Sequence, residues 1–482
     1  MTRRRLTLPF LAATVCSLFF NGPHESVFAY APVAPANNND PVLKWNAIAL
    51  QAVVDDHSGT YGSAEQGGPT RTSRALAIVH LAIYDAVNAI VGGHEPYIEV
   101  LLPDKVLSAA SIEVAVAQAA HDTLSDLYPN QADRFAWERK AALKKVAKKR
   151  GRDEGVQVGR AAAINILLAR VGDGGDAPNL PSDHNGEHEI GVHSPDPYNP
   201  KQGLLTPAWG AVVPFAMDDV TNFQAPAPPM PNSDDILERM AYALAYEEAK
   251  ALGGDGEHTP TERTPEQTEI GLFWAYDGAI GLGVPPRLYN QITRVIAKNE
   301  KNSIAENARL FALVNMSLAD AGIASWYCKY AYKYWRPVVA IRCGNEDGNE
   351  FTTGDEDWKP FCAPASNQSN GGVDFTPPFP AYTSGHATFG AAMFRTLADF
   401  YGTDDYSFLL ISDEMHGKTT DSQGVNRHTV VREFHSFSEA SRENAESRIY
   451  LGIHWKFDAV EGIELGNAVA DYTFDNYLRP LP

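Results

Sequence analysis

Apolar residues recur at intervals of three and four along most of this 482-residue chain, which predicts a protein built from helices. The clearest example is 72–90, where Thr72 and Ser73 can cap the first turn and Gly92 follows the last apolar turn. Further helices are predicted over 111–127, 131–149, 155–170, 233–252, 264–276 and 286–334. Strand-like alternation is scarce, so we expect an all-α fold.

Two loop-rich stretches interrupt the helical pattern. Residues 172–232 are dominated by Gly, Pro, Asn and Asp, which marks a long irregular connection between two helical halves. Residues 344–380 form a second such stretch. We therefore predict an N-terminal helical half over 30–250 and a C-terminal helical half over 251–482, with the candidate chemistry in the second half.

The first 29 residues have the pattern of a secretory signal peptide. Three consecutive arginines precede an apolar stretch that runs to Phe20, and Ala29 ends a small-residue cleavage site. The apolar stretch is shorter than the roughly 20 residues that a spanning helix needs, so cleavage is favoured over anchoring. No later segment is expected to be apolar for long enough to cross a bilayer. We predict a secreted or periplasmic protein without an integral membrane segment.

Composition and charge restrict the classes of partner. With 44% hydrophobic and 21% charged residues, the chain has the composition of a globular protein. Its formal net charge of -20 argues against nucleic acid or an anionic membrane surface as the main partner. Basic side chains that cluster in such a chain should therefore serve a local and specific purpose.

The cysteines allow one disulfide at most after removal of the signal. Cys16 leaves with the signal, and Cys343 and Cys362 flank a polar, Gly-rich loop, which makes them the favoured pair. Cys328 has no adjacent Cys/His catalytic signature, so we expect it to be a small buried residue.

Three short motifs, far apart along the chain, supply the groups that an oxyanion pocket requires. They are Lys329-x6-Arg336-Pro337, Ser384-Gly385-His386 and Ser447-Arg448-x3-Gly452-x-His454-x3-Asp458. An anion with several oxygens needs fixed cations, hydroxyl or amide donors, and imidazoles that bond its centre or move protons. Each motif alone has an ordinary structural interpretation, as a turn, a helix end or a core histidine. Together, three cations and two histidines would be unfavourable to gather without an anion between them.

The spacing of the third motif predicts how its histidine is held. His454 and Asp458 are one helical turn apart, so the carboxylate can orient the imidazole. Gly462 and Gly466 continue the same spacing and would let a neighbouring helix approach closely.

With these three motifs in this order, the chain from about 273 to 472 resembles the vanadium-dependent haloperoxidases. It resembles more distantly the type 2 phosphatidic-acid phosphatases and the bacterial acid phosphatases, which share the anion pocket. The resemblance implies a haloperoxidase-like fold of two helical bundles with vanadate as cofactor. It also implies hydrogen peroxide, halide and small organic molecules as reactants.

The resemblance also assigns roles to the motif residues. It implies that His454 bonds vanadium and that His386 acts as acid and base at the apical oxygen, with Asp458 orienting the first imidazole. Lys329 would polarise the peroxide, and attack by halide would release hypohalous acid or an equivalent. The equatorial oxygens would be held by Lys329, Arg336, Ser384, the Gly385 amide and Arg448.

The chain departs from the Pro-Ser-Gly-His sequence of many relatives, because Thr383 occupies the position of the proline. Threonine adds a hydroxyl and loosens the turn, which affects the shape of the halide site more than oxyanion binding. Thr383 or Ser384 can cap the helix that continues through 387–389, directing its first free N–H groups at the anion.

Three further residues are implied to surround the anion. Trp326 and Phe379 match positions where haloperoxidases, particularly chloroperoxidase-like ones, carry Trp and Phe near the halide position. Core packing is the alternative for this aromatic pair. Asp277 resembles the family carboxylate that pairs with the last arginine, here Arg448.

Two other functions are compatible with the same pocket. A secreted acid phosphatase would use His454 as nucleophile and His386 as the acid for the leaving group. A non-catalytic phosphate- or vanadate-binding protein would have no use for His386 and Asp458. The sequence specifies neither the preferred halide and organic substrate nor the number of subunits.

Overall fold

The computed structural model describes residues 40–146, 151–181, 189–368 and 372–482. These residues lie in one compact unit, Ala36–Pro482. The predicted signal peptide lies outside the described residues and stays a prediction. The proposed boundary between the two halves falls inside a helix, Ile236–Gly253, and the division into halves also stays a prediction.

The described residues form fourteen α-helices and two β-strands. The helices are α1 (Pro41–His57), α2 (Pro69–Val91), α3 (Asp104–Leu107), α4 (Ile112–Leu127), α5 (Ala132–Lys145), α6 (Arg152–Ala169), α7 (Ile236–Gly253), α8 (Pro265–Phe273), α9 (Pro285–Asn299), α10 (Ile304–Tyr332), α11 (Pro337–Arg342), α12 (Gly385–Tyr401), α13 (Phe437–Tyr450) and α14 (Lys456–Asn476). The predicted all-α fold is confirmed. Each helix predicted between 72 and 334 has a helical counterpart, and the last part of the 131–149 prediction lies outside the described residues.

One predicted helix, 286–334, is in fact two helices, α9 and α10. Ser303 starts α10 through a reciprocal capping box with Glu306. The Ser303 hydroxyl accepts from the Glu306 amide at 3.3 Å, and the Glu306 carboxylate accepts from the Ser303 amide at 2.7 Å. The apolar period continues across this break, which is why the pattern alone did not separate the two helices.

The strands β1 (Asp405–Leu410) and β2 (Arg432–Ser436) form a small antiparallel pair that the sequence analysis missed. Phe408 and Phe434 face each other across the pair, with ring centroids 5.3 Å apart. This ribbon is short and joined by a long connection, so its alternation of apolar and polar residues is too brief to be recognised in the sequence.

Helix α10 is the centre of the core, and α2, α12 and α14 pack around it. By length and hydropathy α2 could cross a membrane, so the expectation that no later segment would reach this threshold was wrong. However, 78% of its most apolar window is buried inside the protein, as in the core helix of a soluble protein.

Helices α12 and α14 approach each other closely through glycine. A Cβ on Gly462 would lie 2.8 Å from the Ala387 Cβ, and a Cβ on Gly466 would collide with the Thr388 carbonyl oxygen. The predicted close helix packing at these glycines is confirmed. It places the start of α12 directly beside the start of α14.

The predicted disulfide is absent, because Cys343 and Cys362 are both free thiols. The position of the two cysteines on either side of one loop did not indicate that they are close in space. A disulfide requires the two Cα atoms to lie within about 7 Å of each other. Cys328 is fully buried on α10 and its sulfur accepts from the Ala225 amide at 3.4 Å, as expected for a core residue.

Candidate oxyanion-binding site

Five helix ends bring the motif residues together. The residues located at these ends are Lys329 (last turn of α10), Arg336 (start of α11), Ser384, Gly385 and His386 (start of α12), Arg448 (last turn of α13), and His454 with Asp458 (start of α14). Helix termini carry unsatisfied backbone groups and partial charges, so their convergence favours a polar ligand site. All eight residues are buried.

Hydrogen bonds join the three motifs into one cluster. The Arg336 Nη1 donates to the His454 Nε2 at 3.0 Å, which links the first motif to the third. The Ser384 amide donates to the Asp458 carbonyl at 3.0 Å, which links the second motif to the third. The spatial convergence that the sequence predicts is therefore present.

His454 is held as the neutral tautomer that leaves Nε2 as an acceptor. Its Nδ1 lies 2.8 Å from the Asp458 Oδ2, and its Nε2 faces the Arg336 guanidinium, which can only donate. The proton therefore sits on Nδ1 and is donated to Asp458. The same carboxylate oxygen accepts from the Trp455 amide at 3.1 Å, so Asp458 fixes both the imidazole and the start of α14.

The two arginines present unpartnered donors. Arg336 is bound through Nε to the Phe379 carbonyl, at 3.1 Å, and Arg448 is bound through Nη2 to the Asp277 carboxylate, at 2.7 Å. Among the described residues, no partner is found for Arg336 Nη2 or for Arg448 Nε and Nη1. Buried guanidinium N–H groups without acceptors are strongly unfavourable, so an oxyanion with several oxygens fits this site.

Ser384 and Gly385 add donors of a second type. Ser384 is the N-cap of α12, and its hydroxyl oxygen accepts from the Ala387 amide at 3.4 Å, leaving the hydroxyl proton available. The Gly385 amide is in the first helical turn, where N–H groups have no intrahelical acceptor. Of the two predicted capping residues, Ser384 is therefore the one that caps.

Lys329 contributes charge but its N–H groups point elsewhere. The ammonium donates to the carbonyl oxygens of Pro380 and Ala381 at 2.9 and 2.8 Å, and also to that of Thr383. An ammonium has three donors, so in this arrangement all are used by the loop before α12. Lys329 thus holds that loop and places a buried cation beside the pocket.

Burial and the clustering of like charges perturb the titration of the site. Burial lowers the pKa of Arg336 to about 9 and lowers the pKa of Lys329. It also lowers the pKa values of His386 and His454 well below their usual range, with neighbouring cations adding to the effect. Burial raises the pKa of Asp458 to about 7. An anion in the pocket would relieve the repulsion among these cations.

His386 is positioned by contacts that the sequence analysis missed. Its Nε2 lies 2.6 Å from the Ala275 carbonyl oxygen, so the proton is on Nε2 and Nδ1 is left as an acceptor. Its backbone carbonyl accepts from the Tyr289 hydroxyl at 2.9 Å and from the side-chain amide of Asn444 at 2.8 Å. Neither residue belongs to a motif, and their separation in sequence gives no signal.

A cavity of about 260 Å³ opens beside these groups, lined at one end by His386, Arg448 and His454. Trp326 and Phe379 line it too, with ring centroids 4.8 Å apart. The cavity also reaches Asp277, Leu205 and Phe389. The structure therefore brings all the predicted site residues to one place, the polar groups at one end and the aromatic pair beside them.

No cluster of three or more metal-binding side chains is found in the part of the chain that is described. Vanadate would not require one, because a single imidazole can bond the metal while surrounding donors hold its oxygens. The His454 imidazole and the N–H and O–H donors of Arg336, Arg448 and Ser384 are of this kind, so the residues present fit the group.

A helical protein with buried cations, two imidazoles and a capped helix start around one cavity has the features of an oxyanion-binding protein. Two family models identify it further. Residues 33–162 match the vanadium chloroperoxidase N-terminal domain, and residues 309–481 match the second helical-bundle domain of the same family. The chain belongs to the vanadium chloroperoxidase family.

Individual relatives agree with this assignment. The chain is 33% identical to the vanadium chloroperoxidase of Curvularia inaequalis, over 88% of this chain and 79% of that protein. A crystal structure of a bacterial vanadium-dependent iodoperoxidase has a TM-score of 0.72 at 21% identity, covering 91% of this chain and 98% of that one. A holo-type bacterial vanadium-dependent chloroperoxidase has a TM-score of 0.62 at 18% identity, covering 89% and 97%. These two structures share the fold.

Family membership confirms several predictions made from the motifs. The haloperoxidase resemblance, the all-α fold, the enzyme class of peroxide-dependent oxidoreductases and vanadate as cofactor are all confirmed. The roles of individual residues, the halide and the distant relation to phosphatases stay predictions.

Proposed function

We propose that this protein oxidises halide with hydrogen peroxide to a hypohalous-acid-type halogenating species. One peroxide, one halide and one proton give one hypohalous acid and one water, with two electrons passing from halide to peroxide. The observation that carries the proposal is the set of buried, unpartnered N–H groups of Arg336 and Arg448, in a cluster where Arg336 also contacts the acceptor nitrogen of His454. These groups suit a bound oxyanion such as vanadate.

Vanadate would be held by His454 through Nε2 and by hydrogen bonds from Arg336, Arg448, Ser384 and the Gly385 amide. When bound, it supplies a Lewis-acidic centre that makes peroxide susceptible to attack by a nucleophile. Asp458 keeps the His454 proton on Nδ1, so Nε2 keeps its lone pair, which faces the Arg336 guanidinium.

His386 is the group we assign to proton transfer. Its Nε2 is occupied by the Ala275 carbonyl, so its Nδ1 can accept a proton from incoming peroxide. Burial and nearby cations lower the pKa of His386, which keeps the imidazole neutral and ready to act as a base. It would return the proton when the product leaves.

The halide is proposed to approach along the pair formed by Trp326 and Phe379. The Lys329 ammonium lies 5.0 Å from the Phe379 ring centroid and 5.6 Å from that of Trp326. A buried cation behind two aromatic rings attracts a weakly hydrated anion and excludes water. This arrangement is compatible with chloride, bromide and iodide.

A phosphatase is the second candidate, because the same lone pair of His454 Nε2 could attack phosphorus. The anion ligands do not separate phosphate from vanadate, which have similar shape and charge. Simple anion binding without turnover is the third possibility.

One side-by-side assay separates the three functions. The vanadate-reconstituted protein is tested for peroxide-dependent bromination of a cyclic dione, and the vanadate-free protein for hydrolysis of an aryl phosphate. We expect bromination only, with its loss in His454→Ala. Phosphate release would favour the phosphatase. Binding of vanadate or phosphate without either reaction would favour a non-catalytic anion-binding protein.

We also propose that the protein is exported with cleavage after residue 29, as the N-terminal pattern predicts. Expression of the full chain in a secreting host, followed by N-terminal sequencing, tests this. An uncleaved N-terminus in the cell fraction would contradict export.

A further inference from the structure

One rigid peptide group connects His386 to a buried carboxylate, Glu414. The Ala275 carbonyl accepts from Nε2 of His386 at 2.6 Å. The N–H of the same peptide group belongs to Tyr276, and it donates to Oε1 of Glu414 at 3.3 Å. A peptide group is planar, and in the trans form its C=O and N–H point in opposite directions. Glu414 therefore restricts the rotation of the carbonyl that binds His386.

The backbone at this peptide group has a conformation that needs support from elsewhere in the chain. Tyr276 has a φ of +46°, in the left-handed region that residues with a side chain rarely adopt. Such a conformation persists only where surrounding contacts hold it in place. Without those contacts, the backbone at Tyr276 would relax and the peptide group would rotate.

The short 3₁₀ turn that begins at Asp413 supplies these contacts. Ser412 precedes the turn, and its hydroxyl donates to the Phe273 carbonyl at 2.5 Å. The Asp413 amide donates to the Tyr276 hydroxyl at 2.8 Å. These two contacts hold the start of the segment and the Tyr276 side chain, whereas Glu414 holds the Tyr276 backbone.

Glu414 is itself kept in one orientation by two partners. Its side chain is completely buried, and Oε2 accepts from the Ser366 hydroxyl at 2.7 Å and from the Arg427 guanidinium. Arg427 also donates to the Ser366 hydroxyl oxygen at 2.8 Å. Because Oε2 is occupied by these partners, Oε1 is left to face the Tyr276 amide.

Stability alone does not explain why a charged pair occupies this place. A buried ion pair is often no more stabilising than two well-packed apolar side chains of similar volume. An apolar residue at position 414 would, however, remove the acceptor of the Tyr276 amide. The Ala275 carbonyl would then lose its fixed direction toward His386.

We propose that Glu414 is a positioning residue for proton transfer at the oxyanion site. Through the Tyr276 amide it holds the Ala275 carbonyl against Nε2 of His386. This contact keeps the imidazole proton on Nε2 and leaves Nδ1 as the proton acceptor. The inference rests on the proposed function, in which His386 accepts a proton from peroxide, and extends it to a residue that acts through the backbone.

Two double variants differ only in whether position 414 can accept a hydrogen bond. Glu414→Leu/Arg427→Met removes both the ion pair and the acceptor. Glu414→Gln/Arg427→Met removes the same ion pair, but the glutamine oxygen can accept from the Tyr276 amide and its nitrogen can donate to Ser366. The Glu414→Gln double variant is therefore the matched control for the loss of charge.

The tautomer of His386 is measured by ¹⁵N NMR on vanadate-free protein, with its signals assigned through their loss in His386→Asn. The wild type and the Glu414→Gln double variant should show a protonated Nε2 and an unprotonated Nδ1. The Glu414→Leu double variant should show a mixture of both neutral tautomers. A wild-type tautomer in the Glu414→Leu double variant, or an equal mixture in both double variants, would overturn the inference.

Hydrogen exchange of the Tyr276 amide gives a test that needs no variant. In the wild type this amide should be protected, because it is buried and donates to Glu414. Exchange as fast as that of an exposed loop amide would contradict the inference.

Bromination by the vanadate-reconstituted proteins relates the tautomer to turnover. The kcat of the Glu414→Leu double variant should fall by about tenfold or more relative to the Glu414→Gln double variant, because the proton acceptor is misplaced. The Kd for vanadate should rise by a smaller factor, since Arg336 and Ser384 lie on other segments. Equal kcat values in the two double variants would refute the positioning role.

The same measurements separate this inference from the proposed function. A wild type without peroxide-dependent bromination would refute the function, whereas the expected tautomers in the three proteins would still support the positioning of His386 by Glu414. A fully active wild type with one tautomer in all three proteins would refute only the positioning role.

Discussion

Gly390 provides the space that the Asn444 side chain fills, because a Cβ at position 390 would collide with the Asn444 amide nitrogen. That nitrogen donates to the backbone carbonyl of His386, and Tyr289 donates to the same oxygen. The Tyr289 hydroxyl also lies 3.2 Å from the Asn444 side-chain oxygen. Residues of α9, α12 and α13 thus hold the first turn of α12, and with it the imidazole that we assign to proton transfer.

Gly390→Ala should displace Asn444 and tilt the first turn of α12. Overpacking of this kind lowers the free energy of unfolding by about 1–3 kcal/mol, which urea titration measures. The rate of bromination should fall by a larger factor than the affinity for vanadate. Gly271→Ala is the matched control on α8, where the nearest atom to an added Cβ is the flexible end of Leu451, at 3.1 Å. Equal loss of activity in both variants would contradict a specific role for Asn444.

Asp458→Asn should weaken vanadate binding by about 10–100-fold, the usual effect of losing a carboxylate that orients a metal-bound imidazole. The side-chain oxygen of the asparagine can still accept from the Trp455 backbone N–H, so α14 should still begin at the same residue. Equilibrium dialysis of vanadate measures the change. Asp85→Asn is the control, because Asp85 is also a buried carboxylate and accepts from the Tyr97 and Ile98 amides. Unchanged affinity in Asp458→Asn would refute the orienting role.

Phosphate should stabilise the vanadate-free protein by occupying the same donors. Binding to the folded state alone adds about 2.7 kcal/mol at a ligand concentration 100 times Kd, seen as a rise in melting temperature. Arg336→Met should remove most of this rise. Arg342→Met is the control, since Arg342 donates to the Tyr198 hydroxyl and the Trp358 carbonyl and has no unpartnered donor among its described contacts. A full phosphate effect in Arg336→Met would exclude this arginine from the anion site.

The contribution of His386 to the free energy of unfolding should decrease as pH falls below about 6.5, because the folded protein keeps His386 neutral while the unfolded chain binds a proton there. The slope for one such histidine is at most about 1.4 kcal/mol per pH unit. Asp458 acts in the opposite sense, since its pKa is raised to about 7 and its contribution to stability is lost as pH rises toward that value.

His386→Asn isolates the histidine contribution. Urea titrations of the vanadate-free protein between pH 5 and 6.5 should show a smaller slope of unfolding free energy against pH in this variant. The exposed His435→Asn is the matched control. A slope in His386→Asn as steep as in the wild type would contradict a neutral, buried imidazole.

Local spacing predicted those parts of the site that depend on neighbours in sequence. The turn from His454 to Asp458 and the cap at Ser384 are short-range relationships, and both are present. The role of Lys329 is different, because its three carbonyl partners lie 51 to 54 residues further along the chain. Contacts of this length depend on the path of a loop, which periodicity does not describe.

The same limit explains what was missed elsewhere. Asn444 and Tyr289 meet the His386 carbonyl from other helices, and neither residue type signals such a contact in advance. The predicted disulfide between Cys343 and Cys362 was wrong because two residues that flank one loop need not be close in space. Long-range convergence was predicted only where motif order matched a known family.

The backbone contact of α12 with Gly462 and Gly466 has a thermodynamic consequence for ligand capture. Because neither position carries a side chain, the helices pack closely, and the distance between the imidazoles at their starts is set by the protein framework and not by the bound anion. The pocket is therefore preorganised, and little conformational entropy is lost when an anion enters. Larger residues at these two positions would separate the helices and lower the affinity of the site for all tetrahedral anions.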